Sequence, residues 1–256
     1  MDVLPELRAV AVEDPPWTGW DVLLLPVIAF ASIIFTSLLI LFTAHWTGNA
    51  EALRAGKLDH DARVMVPIQL LAYAITFAVM YALVTRRYGR QFWAGIKWNW
   101  PRSRWFVFPV AGVGLAIAVQ FTSILLPFPK SLPIEEFFKH PGSAYALWLF
   151  GISAAPFIEE VFFRGFFFPV VVRRAGVAGG LILTSAVFAL IHQAQYARAW
   201  APLLVLFLVG LVFTTVRLRT NSVAASFLVH VGYNFTLFAM VWLVTSGFRN
   251  MERLAK

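Results

Sequence analysis

The chain has no cysteine, which excludes disulfides, a thiolate nucleophile, thiolate metal ligands and a lipidated lipoprotein cysteine. It is also poor in charge. Only 13% of its 256 residues are Asp, Glu, Lys or Arg, where a soluble domain carries roughly 25%. With 60% of the chain hydrophobic, a water-facing surface could not be covered by polar groups. Further absences narrow the chemistry. No aspartate follows Asp61, so an intramembrane aspartate pair is excluded from the later segments; there is no His-Glu-x-x-His zinc signature and no Gly-x-Ser-Gly ahead of a histidine. The net charge of +8 would suggest a nucleic-acid partner if it formed one patch. Here Arg86, Arg87, Arg90, Lys97, Arg102 and Arg104 share one interhelical loop, and positive-inside topology accounts for them without nucleic acid.

What the chain does have is long apolar runs, at about 22–44, 64–85, 104–126, 144–172, 178–194, 200–217 and 222–245, each close to the roughly 20 residues that a helix needs to cross the hydrocarbon layer. The expectation is an all-α, multi-pass transmembrane bundle of about seven spans (six to eight), with a catalytic core formed by the last four. The N-terminus is acidic (Asp2, Glu6, Glu13, Asp14) and the first run lacks the basic head of a cleavable signal, so it reads as a retained span. If the arginine-rich loop is cytoplasmic, the N-terminus, the Arg173/Arg174 turn and the Arg217/Arg219 turn are cytoplasmic too, as expected for an inner-membrane protein. The C-terminus then lies outside, and its Arg249, Arg253 and Lys256 run against the rule. The chain divides into residues 1–140, with three spans and a turn-rich interfacial loop (Leu126-Pro-Phe-Pro and Pro133 to Pro141), a core at 141–248, and a tail at 249–256.

Between Ala144 and Val244 the only acids are Glu159 and Glu160, adjacent in an apolar stretch. A carboxylate at the centre of a spanning helix costs on the order of 2.5 to 3.5 kcal/mol even on the lenient insertion scale, so two in succession need a reason. They point about 100° apart on a helix, and one partner cannot serve both. Arg164 lies four residues after Glu160, the favourable order for an ion pair. Glu160 and Arg164 are therefore read as neutralising each other, leaving Glu159 for chemistry. Other strongly polar groups in the later spans are His192, His230 and Asn234, the last two one turn apart on a single face. Counted at 1.5 Å per residue from the arginine-bearing helix ends, these groups and Glu159 lie roughly 12 to 21 Å deep. Taken singly, a histidine is more often a satisfied core group and an asparagine an interhelical hydrogen bond. Together, one carboxylate, two imidazoles and an amide at similar depth point to a site. Phe162, Phe163, Phe166, Phe167 and Phe168 read as packing or lipid-facing surface and receive no functional role.

Glu159-Glu160-Val-Phe-Phe-Arg164, Phe188-Ala-Leu-Ile-His192 and His230-Val-Gly-Tyr-Asn234 are, in this order on separate spans, the pattern of the CPBP intramembrane proteases. That family includes the type II CAAX prenyl endopeptidases and bacteriocin-processing proteins, and the chain resembles it over about residues 144 to 245. The resemblance implies an intramembrane endopeptidase, and the ligand count and the missing His-Glu-x-x-His favour hydrolysis without a metal cofactor. Glu159 would be the general base that activates water, His192 would help hold that water, and His230 and Asn234 would donate to the oxyanion. Glu160 and Arg164 would fix the active helix. The implied partners are the bilayer and a membrane-anchored peptide or protein substrate, prenylated and CAAX-type or another membrane-proximal peptide. One rival is a zinc protease with Glu159, His192 and His230 as ligands. A transporter-like protein or an idle scaffold is another, although the chain shows no inverted repeat with paired broken helices.

Overall fold

The computed structural model describes residues 15–46, 61–129, 132–138 and 141–255. The acidic residues Asp2, Glu6, Glu13 and Asp14 and the terminal Lys256 lie outside them. Among the described residues the regular elements are all helical. Helix α1 is Gly19–Trp46 and α2 is Ala62–Ala82, which runs on as a π-helical turn, Leu83–Arg87. The short α3 (Phe92–Gly95) follows in the arginine-rich loop, then α4 (Val107–Ile124) and a 3₁₀ turn, Pro133–Phe138. The remainder is α5 (Pro141–Ile152), α6 (Ala154–Glu160), a π-helical segment Val161–Phe167, α7 (Phe168–Ile191), α8 (Trp200–Thr220), α9 (Val223–Val244) and a closing 3₁₀ turn, Met251–Ala255.

Six stretches are long and apolar enough to cross a membrane, and the fourth runs for 51 residues from Pro141 to Ile191. At 1.5 Å per residue that would reach about 75 Å, more than twice the hydrocarbon thickness. It does not run straight. The backbone breaks at Ser153 (φ −127°, ψ −85°) and at Gly176 (φ 71°, ψ 178°). Gly176 is left-handed, a conformation that only glycine adopts without steric cost. The chain doubles back there: a Cβ on Gly180 would overlap the Val172 side chain and come within 3.1 Å of the Phe168 ring. The two spans expected at 144–172 and 178–194 are the legs of this hairpin.

Burial sorts the helices by layer. In its most apolar window α8 is 56% buried and α1 only 17%, so α8 is central while α1 shows Phe30, Phe35, Leu38 and Phe42 on an exposed flank. Helices α4 and α9 meet at backbone distance. A Cβ on Gly112 would overlap the Val229 carbonyl, and one on Gly232 would lie 2.7 Å from Pro109 Cα, the close approach that small residues give membrane helices.

One end of the bundle gathers the basic turns expected to share a face. Arg173 donates from Nη1 to Pro15 O and from Nη2 to Trp17 O, each at 2.9 Å. Asp21 accepts from Tyr88 Oη at 2.6 Å and pairs with Arg87 at 3.3 Å, while Val223 N donates to Lys97 O at 2.9 Å. The segment leading into α1 also grips the core. Trp17 stacks on Phe166 with centroids 4.6 Å apart, and its indole N–H donates to Phe166 O at 3.1 Å. Phe163, Phe166 and Phe168 are buried packing residues.

Candidate active site

Glu159 and Glu160 close α6 just before the helix widens into the π-helical segment, a distortion often found at functional sites. Their carboxylates take different directions, as their angular offset requires. Glu160 is fully buried and accepts from Arg164 Nη1 at 2.8 Å and from Ser226 Oγ at 2.6 Å, with His230 Nδ1 at 3.0 Å. The expected Glu160–Arg164 pair is therefore present, with Ser226 and His230 added to it. Arg164, also fully buried, donates from Nη2 to Gly210 O at 3.2 Å, and its guanidinium lies 4.8 Å from the Phe188 ring and 5.3 Å from the Phe213 ring. An ion pair removed from water needs such extra partners to offset desolvation.

Glu159 faces two histidines from two other helices. His192 Nε2 lies 3.9 Å from its Oε1, and His230 Nε2 lies 3.8 Å from its Oε2. The hairpin explains how groups 33 positions apart meet: Glu159 precedes Gly176 by about as many residues as His192 follows it, so antiparallel legs bring them to one depth. Both rings are aimed by their other nitrogen. His192 Nδ1 is 2.7 Å from Phe188 O, which fixes the proton on Nδ1, and His230 Nδ1 faces the Glu160 carboxylate. Phe213 stacks on the His230 ring at 4.5 Å and 29°. The Glu159 and His192 side chains remain 15% and 14% exposed, against 4% for His230, leaving the Glu159–His192 edge open.

Asn234 follows His230 by one turn, and its Nδ2 donates to Gly151 O at 2.7 Å, so one amide hydrogen ties α9 to α5 and the second meets no acceptor among the described residues. Two neighbours were not anticipated from sequence. Ser226 lies four residues before His230 on the same face, a spacing that was legible but not informative without knowing that Glu160 lay opposite. Tyr196 lies in the turn after His192, and burial followed by the charge of Glu159 pushes its hydroxyl up from the ordinary tyrosine range. No sequence spacing links Tyr196 to Glu159. Among the described residues no three histidine, cysteine or carboxylate side chains are grouped to hold a metal ion.

This is one carboxylate set against two oriented imidazoles inside an apolar bundle, on residues that carry all three sequence motifs. Residues 141–236 match a known family, described as type II CAAX prenyl endopeptidase, Rce1-like. Over that segment the chain is similar to this family. The match agrees with the CPBP resemblance, and the six helices long and apolar enough to cross a membrane are those of a multi-pass membrane protein. No curated protein and no solved structure matches the chain significantly.

Proposed function

We propose that the chain is an intramembrane endopeptidase in which Glu159 is the general base for direct attack of water on a peptide carbonyl. The observation that carries this is the pair of Nε2 atoms, 3.8 and 3.9 Å from opposite oxygens of one carboxylate. Those separations are too long for direct hydrogen bonds. A water about 2.8 Å from both a Glu159 oxygen and an Nε2 would subtend an angle near 90°, within reach of its donor and acceptor directions. His192, with its proton fixed on Nδ1, presents the Nε2 lone pair and accepts from that water. Glu159 takes the other proton as the water attacks, then delivers it to the leaving amine.

The oxyanion donors in this reading are His230 and Asn234. His230 donates from Nε2 when both ring nitrogens carry protons, and Glu160 supplies the counter-charge at Nδ1. Asn234 donates its second amide hydrogen. Donors held in a low-dielectric site stabilise developing charge strongly. Glu160, Arg164 and Ser226 hold His230 and the active helix in place and do not touch the reacting atoms.

Zinc held by Glu159, His192 and His230 is the alternative. Bonds of about 2.0 to 2.2 Å at tetrahedral angles would bring each nitrogen to roughly 3.2–3.5 Å from the shared oxygen. The separations here are longer and run to different oxygens, which favours water. The substrate class we infer is a peptide beside a hydrophobic anchor, a prenylated CAAX tail or another membrane-proximal sequence. An unshielded backbone does not enter hydrocarbon, so the substrate reaches Glu159 through a protein-lined path.

Purified protein incubated with membrane-tethered peptides in ¹⁸O water tests the reaction. Direct attack places one ¹⁸O in the new carboxyl terminus, whereas an absence of any peptide product refutes it. Orientation has its own test. With the arginine-rich end cytoplasmic, the turn after His192 faces outward, and a cysteine at the exposed Ala194 is labelled by an impermeant reagent from outside; labelling from inside alone would invert the topology.

A further inference from the structure

Helix α2 lies outside the matched segment 141–236, yet it packs against both α5 and α6. Three contacts set its register. Ala62 N donates to Ser143 Oγ at 2.6 Å, the Tyr73 ring stacks on Phe150 with centroids 5.6 Å apart, and the Phe77 ring lies 5.5 Å from that of Phe157. The two stretches therefore run parallel, starting from the end away from the arginine-rich loop. Tyr73 and Phe77 are one turn apart and mark the face that α2 turns toward the helix bearing Glu159. Gln69 lies one turn before Tyr73 on that face, and both polar side chains are half-buried.

Counted from the start of α2, Gln69 is about 10 Å and Tyr73 about 16 Å along the helix, too deep for the polar-tipped belt at a membrane surface. A polar group at that depth is costly unless it is hydrogen-bonded. The common solution is a bond to the neighbouring helix, but among the described residues neither side chain hydrogen-bonds to α5 or α6. A bond between the two would still leave most of their capacity open, since a carboxamide alone offers two hydrogens and two lone pairs. A peptide drawn to this depth has the matching need, because its backbone N–H and C=O groups have lost water. We propose that Gln69 and Tyr73 hydrogen-bond the backbone of the substrate peptide beside the scissile bond. The proposal rests on the reading of Glu159 as the place of cleavage, and it makes the two side chains positioning residues that move no proton. Phe77 is four residues after Tyr73 and Phe157 two before Glu159, so Tyr73 stands roughly 9 Å from the level of Glu159 along the bundle. An extended chain covers about 3.3 Å per residue, which puts the contact two or three residues from the bond that is cut.

The test is equilibrium binding of a membrane-tethered peptide to full-length Glu159→Gln protein in micelles, where affinity is read without turnover. Tyr73→Phe keeps the ring on Phe150 and Gln69→Leu keeps most of the side-chain volume. Each, added to that background, should weaken binding at least threefold, the scale of one neutral hydrogen bond, while Gln120→Leu, the same change on an exposed face of α4, should leave affinity unaltered. Peptides in which one backbone amide is replaced by an ester locate the contact. An ester two or three residues from the scissile bond should weaken binding when Gln69 is present and have little effect after Gln69→Leu. With Glu159 in place, both variants should raise KM and hold kcat within twofold. Should one variant fail to fold, the other decides. Unchanged affinity in the folded variants, or ester losses that persist undiminished after Gln69→Leu, would overturn the proposal. Failure of the base is read separately, as cleavage of the peptide by the Glu159→Gln protein.

Discussion

Replacing Glu160 by glutamine tests the reasoning about the buried network most sharply, because the amide keeps the shape of the side chain and removes only its charge. Arg164 would stay fully buried with its guanidinium 2.8 Å from a neutral oxygen. The Ser226 hydroxyl and His230 Nδ1 would lose their charged acceptor at the same time. Breaking a buried pair by neutralising one partner costs about 3 to 5 kcal/mol, a shift of roughly a hundred- to several-thousand-fold in the folding equilibrium. The hydrogen bonds lost with it are part of that figure, since groups in one network are not additive. Thermal unfolding in detergent, read at one scan rate for all variants, should show a midpoint lower by at least about 6 °C, given about 2 °C or more per kcal/mol for a chain of this size. Glu159→Gln, outside the network, should melt within about 2 °C of wild type. Replacing both partners, Glu160→Leu with Arg164→Met, should recover most of the lost stability, because neither charge is then stranded. A Glu160→Gln protein that melts like wild type would refute the assignment of this pair as the buried anchor.

Three further outcomes follow from the same structure. Ser226→Ala removes one donor to a charged acceptor and should cost about 1.5 to 3 kcal/mol in unfolding measurements while turnover falls less than tenfold; a hundredfold loss of turnover would give Ser226 a direct part in the chemistry. Gly112→Ala should sharply reduce folded yield on size-exclusion chromatography, since its Cβ has no room against α9, whereas Gly114→Ala, with nothing within 4 Å of its Cβ, should be neutral; equal yields would contradict the backbone-contact crossing. Strong chelators should leave peptide cleavage intact, and loss of activity on chelation with recovery on added zinc would establish the metal alternative.

Much of this architecture was legible because hydropathy and one-helix spacing report it directly. The two legs on either side of Arg173 and Arg174 follow from their lengths, and the Glu160–Arg164 pair follows from i,i+4 geometry within one helix. The contacts that complete the site are of another kind. His230 Nδ1 against Glu160 and Ser226 against the same carboxylate each depend on how one helix is rotated and shifted along another, which apolar runs do not encode. The left-handed break at Gly176 and the π-helical widening after Glu160 were likewise unreadable. A glycine after two arginines is compatible with a continuing helix, and the π-helical segment packs on Trp17, a residue far away in sequence. The sequence placed Glu159, His192, His230 and Asn234 at similar depth; in the structure the first three converge, while Asn234 is engaged by the α5 backbone.

The central claim is that the Glu159 carboxylate moves the proton in peptide hydrolysis. It is tested most directly by the single-turnover cleavage rate of a membrane-tethered peptide by purified Glu159→Gln protein, measured beside wild type and His192→Ala at matched thermal stability. A positioned general base contributes about 10² to 10⁴ in rate, so the account predicts at least a hundredfold loss in the glutamine variant and a loss of similar size on removing His192. A Glu159→Gln protein that folds normally and cleaves at the wild-type rate would contradict it.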